Sequence, residues 1–162
     1  MARLRARAPK GERAWGKVPR NRGKNTTLIA AITLEGGMGE SVAIEGATDA
    51  EVFEAYVKRF LAPTLKEGQV VVLDRLGAHR TQRVREFVEA TGADLLFLPS
   101  YSPDFTPIEE AFSKIKAIVR KAGARTREAL VEAIDRALAA VTLEDAAGWF
   151  DHAGYEPQDQ PL

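Results

Sequence analysis

The chain has 162 residues, the length of one domain, with 45% hydrophobic and 28% charged residues, the balance of a globular protein with a core. Its longest apolar stretches, Val70 to Leu73 and Leu95 to Pro99, are far too short to span a bilayer, and no apolar segment behind Met1 reads as a secretory signal. With no cysteine and only His79 and His152 as histidines, disulfides, thiolate zinc sites, iron–sulfur clusters and a cysteine nucleophile are excluded, and any metal has to be hard and oxygen-bound.

The formal net charge of zero conceals an asymmetry. Residues 1–25 carry nine basic side chains against one acid, Glu12, a net of +8 that the remaining residues balance with −8. Pro9, Gly11, Gly16, Pro19 and Gly23 break any periodicity there, so the segment reads as an irregular basic arm suited to a polyanion, or otherwise as a solvated tail. Arg13, Lys17, Arg20, Arg22 and Lys24 are its candidate nucleic-acid contacts.

Thr26 to Leu34 is rich in β-branched residues and ends at Gly36-Gly37, which with Gly39 signals a hairpin whose return strand runs from about Glu40 to Glu45. Thr48 and Glu51 have capping-box spacing before a helix whose face carries Val52, Phe53, Tyr56, Val57, Phe60 and Leu61, and Pro63 stops it. Gln69 to Leu73 predicts a strand buried on both faces, and Asp94 to Leu98 a second buried strand. Between them a helix over Arg80 to Ala90 turns Val84, Phe87 and Val88 inward and closes at Gly92. A helix from Pro107 to about Lys121 follows, then two more near Thr126–Val141 and Thr142–Asp151, with Trp149, Phe150 and Tyr155 as packing. The order of arm, hairpin and alternating helices and strands predicts a mixed α/β sheet flanked by helices, with the domain over residues 26–155 and a tail over 156–162.

Asp74 stands at the carboxyl end of the strand Val70–Leu73, where open α/β sheets place their ligand crevices; the bland alternative is a turn cap before Gly77 or a pair with Arg75. Glu109 completes a capping box with Thr106 and Pro107, and at ~100° per residue it shares a helix flank with Lys116 and Arg120. Glu110 is expected to face solvent and pair with Lys114 at i+4. Two carboxylates facing one crevice suit Mg²⁺ or Mn²⁺, and a basic strip beside them suits phosphate. From the residues alone, the reading stops at metal-dependent phosphate chemistry. An unrelated nucleotide- or anion-binding α/β domain is the competing class, but no GxxxxGK[ST] or GxGxxG pattern supports it.

Three stretches carry a more specific signal. They are Leu73-Asp74-Arg75-Leu76-Gly77-Ala78-His79, the run Leu95 to Glu109 (LLFLPSYSPDFTPIE), and Phe112-Ser113-Lys114-Ile115-Lys116. Together they resemble the catalytic domain of bacterial insertion-sequence transposases of the mariner-like DDE superfamily, over residues 1 to about 155. Thirty-four residues lie between Asp74 and Glu109, the spacing that family uses between its second and third acids. The resemblance implies a ribonuclease-H-like fold, Asp74 and Glu109 as catalytic metal ligands for Mg²⁺ or Mn²⁺, and nicking and joining of DNA at transposon ends in the bacterial cytoplasm, on nucleoid DNA. It also implies phosphate contacts from the arm and from Lys116 and Arg120. The implied partners are DNA, with a second copy or an upstream transposase fragment; no membrane is involved.

The sequence departs from the family pattern at three places. The family's first catalytic Asp, on a strand before the basic arm, has no counterpart here; Arg75 stands where Asn is usual after the second Asp; and Thr106 stands for the Asn before Pro107. The first strand would lie between Thr26–Leu34 and Val70–Leu73. Without it, these two strands are expected to leave ladder groups unpaired, and the chain by itself is expected to be poorly stable and catalytically inactive. A degenerate remnant that binds DNA without cutting it is the alternative reading.

Overall fold

The structure, a computed structural model, describes residues 7–15, 24–99 and 106–155. Lys17, Arg20 and Arg22 of the arm and the tail 156–162 lie outside the described residues.

Strands β1 (Thr26–Thr33) and β2 (Gly37–Glu45) form the expected antiparallel hairpin. Its turn places Gly37 at φ +70°, a conformation that an L side chain rarely adopts, and the Gly36 amide donates to Thr33 Oγ1 at 2.9 Å. The ladder shifts between Ala30 and Ile32, opposite Gly39 and Glu40. This bulge lets β2 begin three residues before the predicted start at Glu40.

Helix α1 (Ala50–Tyr56) is capped by Asp49, whose carboxylate accepts from the Val52 amide at 2.9 Å. The predicted Thr48–Glu51 box is therefore corrected by one position: a carboxylate at residue 49 reaches the third amide, and Thr48 Oγ1 is buried without a hydrogen-bond partner. A wide turn over Val57–Leu61 and a tight one over Ala62–Thr64 continue the helix to its stop around Pro63.

Strand β3 (Val70–Leu73) pairs in parallel with β4 (Asp94–Phe97), and Val70, Val71, Val72 and Leu73 lie against Asp94, Leu95, Leu96 and Phe97. Helix α2 (Gln82–Glu89), capped by Thr81, connects them and fully buries Val84 and Val88. Helices α3 (Pro107–Ala122), α4 (Arg127–Ala139) and α5 (Leu143–His152) complete the chain. Phe150 and Tyr155 meet edge to face with ring centroids 5.7 Å apart.

Two cores hold these elements. Ile29, Phe53, Tyr56, Val57, Leu61, Val84, Val88 and Ala93 form the first, where one face of each strand pair meets α1 and α2. Ile115, Val119, Ala133, Ile134 and Ala137 form the second, against which Leu28, Met38 and Ala43 of the hairpin pack. The hairpin is thus covered on both faces, whereas β3–β4 is covered on one. The expectation that β3 and β4 are buried on both faces is corrected accordingly: Val70 is 56% and Leu96 51% exposed. Alternate residues of a strand point to opposite faces, and among the described residues nothing covers the second one.

The two pairs remain separate two-stranded sheets. Among the described residues β1 and β3 share no ladder hydrogen bonds, so direct pairing does not close the expected gap. Among the described residues no helix is long and apolar enough to cross a membrane.

Candidate functional site

Asp74 is the first residue beyond β3. Its Oδ1 accepts from the Leu76 amide at 3.0 Å and lies 2.6 Å from His79 Nδ1. The side chain is 59% exposed, and both bonds fall on one oxygen, so among the described residues Oδ2 makes no hydrogen bond. A carboxylate only accepts, so the Nδ1 proton of His79 points to it. His79 closes a tight turn over Gly77–His79 and its ring lies on Phe53, centroids 4.1 Å apart. The buried α1 side chain thus backs the histidine that orients Asp74. The turn-cap reading of Asp74 holds through Leu76, and among the described residues it forms no ion pair with Arg75.

Glu109 lies in the first turn of α3, the helix that the chain enters after β4, and is exposed. Thr106 is the N-cap residue, but its side chain makes no capping hydrogen bond; its carbonyl accepts from the Glu109 amide at 3.0 Å. The predicted Thr106–Glu109 side-chain box is corrected to this backbone cap. Lys116 and Arg120 lie within about 20° of Glu109 around the helix axis. Lys116 is exposed, with Nζ 5.8 Å from the Phe112 ring centroid, and Arg120 is half-buried.

Glu110 is the second correction on this helix. Instead of facing solvent beside Lys114, it buries Oε2 without a hydrogen-bond partner among the described residues, and Lys114 pairs with Asp145 of α5. The buried residues of this helix are Pro107, Ala111, Ile115 and Val119. Asp145 has three donors, the Lys114 ammonium first and then the Thr142 amide and hydroxyl, which hold its carboxyl down at about 2. Arrival of α5 at that ammonium is a long-range event that i+4 spacing does not reveal.

Of the basic candidates, Arg13 is exposed, and Lys24 is bound to Glu45, which also pairs with Arg127. Among the described residues no group of three or more His, Asp and Glu side chains is gathered as a metal cage. At the carboxyl ends of β3 and β4 there is instead a cleft lined by Arg75, Arg80, Thr81, Gln82, Arg85 and Phe97. Arg80 and Arg85, within the helix predicted over Arg80 to Ala90, gave no sign of it in the sequence.

Residues 1–131 match the family model of the DDE superfamily endonuclease. The chain belongs to that superfamily. Among solved structures it is similar to the Mos1 mariner paired-end complex with Mn, at a TM-score of 0.72 and 19% identity over 91% of this chain and 46% of that one. It is also similar to a pre-cleavage Mos1 transpososome, at 0.71 and 18% over 93% and 48%, and to the catalytic domain of Mos1 mariner transposase, at 0.65 and 18% over 80% and 69%. The chain spans about half the length of the first two. The comparison with curated proteins gives no match. This DDE superfamily endonuclease domain has the ribonuclease-H-like α/β fold of those structures.

Proposed function

We propose that this DDE endonuclease domain cleaves DNA at transposon ends and joins the freed strand to target DNA, contributing Asp74 and Glu109 as the second and third metal-binding acids. The observation that carries the reading is the family match over residues 1–131, within which 34 residues lie between these two acids. The donors suit a hard cation, because Asp74 offers an Oδ2 that makes no hydrogen bond among the described residues and Glu109 an exposed carboxylate. Mg²⁺ or Mn²⁺ bound there supplies activation of the attacking oxygen and stabilisation of the leaving one in an in-line phosphodiester displacement. His79 holds the Asp74 carboxylate in place through Oδ1. Arg13, Lys17, Arg20, Arg22 and Lys24, with Lys116 and Arg120 on α3, neutralise DNA phosphates and set register without reading sequence.

In this proposal the family's first acid, which is not among these 162 residues, comes from other polypeptide, and the 162 residues alone do not cut. The protein acts on nucleoid DNA in the bacterial cytoplasm. A second reading, a remnant that binds DNA without cutting it, is favoured by one observation: among the described residues no three His, Asp or Glu side chains are grouped where they could hold a metal ion.

Mn²⁺ titration followed by electron paramagnetic resonance tests the metal site directly. Binding should weaken in Asp74→Ala and in Glu109→Ala, and equal binding in wild type and both variants refutes it. Mg²⁺- or Mn²⁺-dependent nicking of supercoiled DNA by a complemented preparation, abolished in both variants, separates the endonuclease from the remnant. Removal of residues 1–25 should abolish salt-dependent DNA binding, and unchanged binding removes the arm from the interface.

A further inference from the structure

The cleft at the carboxyl ends of the parallel strand pair has a volume of about 260 Å³ and, among the described residues, no carboxylate in its lining. Phe97, the last residue of β4, lies in register with Leu73, and Arg75 comes two residues after Leu73, so the two strand ends set the cleft's walls. Arg80, Thr81, Gln82 and Arg85 bring in the amino-terminal end of α2, where the helix dipole is positive. Arg85 is held in place, bound to Glu89 at 2.8 Å and 5.8 Å from the Phe97 ring centroid. Arg75 and Arg80 are both exposed, and among the described residues neither forms an ion pair. Two uncompensated guanidiniums beside a third repel one another, and an anion between them removes that cost.

We infer that this cleft is a phosphate site, in which Arg75 and Arg80 grip the oxygens of a DNA phosphate through their planar forks while Arg85 and Phe97 form the fixed wall. Guanidinium matches phosphate in shape as well as charge, and this is why arginine rather than lysine suits the position. Arg75 directly follows Asp74, so a strand anchored here passes beside that carboxylate. This last step rests on the proposed role of Asp74; the phosphate site does not. The residue that departs from the family pattern thereby gains a task, that of holding the substrate strand next to the reacting phosphate.

The test uses the full chain in EDTA, so that no metal takes part. Inorganic phosphate should shift the Nε–Hε resonances of Arg75 and Arg80, and the same two should move with short single-stranded oligonucleotides. A stronger response to a 5′-phosphorylated oligonucleotide than to its 5′-hydroxyl counterpart identifies a terminal phosphate as ligand, and equal responses identify a backbone phosphodiester. Arg75→Ala combined with Arg80→Ala should weaken oligonucleotide binding about tenfold. It should also flatten the plot of log affinity against log salt by about 1.4, two contacts at ~0.7 each for a single strand. Replacing both by lysine should restore the slope but only part of the phosphate affinity. Arg83→Ala, on the same helix but paired with Glu54 outside the cleft, is the control. An affinity and slope in the double alanine variant equal to those of the control, with an unchanged circular dichroism spectrum, overturn the inference. A wild-type chain that binds phosphate but no Mn²⁺ sinks only the metal proposal, and one that binds Mn²⁺ but no phosphate sinks only this one.

Discussion

Replacing His79 by phenylalanine isolates the one interaction that orients the candidate metal ligand. The new ring can keep the place of the imidazole on Phe53, where the centroids lie 4.1 Å apart, while the 2.6 Å bond to Asp74 Oδ1 disappears. A hydrogen bond to a charged group is worth about 1.5–3 kcal/mol when sequestered. Here the carboxylate is 59% exposed, and solvent screening reduces the expected coupling to about 0.5–1 kcal/mol. A double-mutant cycle of His79→Phe and Asp74→Ala by urea unfolding measures it, since the cycle cancels the loss of the Leu76 amide bond in the Asp74 variants. With a slope of about 2 kcal/mol/M, the coupling corresponds to a midpoint difference of roughly 0.25–0.5 M. His79→Ala should cost about 0.5–1.5 kcal/mol more than His79→Phe, because the ring contact goes too. A coupling indistinguishable from zero would refute the claim that His79 positions Asp74.

Two further outcomes concern titration. Thermal midpoints of wild type and Asp145→Asn should differ at pH 6 and converge as the pH falls from about 4 toward 2. The depressed carboxyl adds stability only above its unfolded value of 3.8 and loses it on protonation, and curves that stay parallel to pH 2 would contradict this. Tyr56, buried and donating to the Glu40 carbonyl at 2.7 Å, has its phenol pushed well above 10.0, first by burial and then by the Glu40 charge. In a 295 nm titration the last phenol to ionise should be missing from Tyr56→Phe, and wild-type stability should fall above pH 10 as the unfolded phenol ionises; a titration curve of unchanged shape counts against it. The same substitution should cost about 1 kcal/mol in urea, read from the midpoint, since it removes the hydrogen bond to the Glu40 carbonyl.

What was legible in the sequence was mainly local. The hairpin at Gly36-Gly37, the inward Val84 and Val88 of α2 and the helix near Thr142–Asp151 follow from turn chemistry and helical period, and all three stand. Asp74 was placed by one rule, that ligands collect beyond the carboxyl ends of parallel strands, and β3 and β4 are indeed parallel there. What escaped depends on contacts between distant segments. Lys114 has an i+4 acid available and takes Asp145 instead, 31 residues away, which leaves Glu110 turned inward. The run Val70–Leu73 has the composition of a fully covered strand, yet composition cannot say whether anything lies on its second face. Nor does spacing reveal that Arg75, Arg80 and Arg85 share a cleft, since a turn and a helix start intervene.

The unequal covering of the two strand pairs sets how the molecule opens. Amide protons in the hairpin, at Ile29 and Val42, sit between two helical layers and should exchange with deuterium only in the rarest openings. Those of Val72 and Leu96, roofed on one side and lacking a ladder to β1, should exchange in smaller and more frequent ones. The substrate side of this domain is then its most yielding part, and whatever seats there, polynucleotide or polypeptide, stiffens it on arrival.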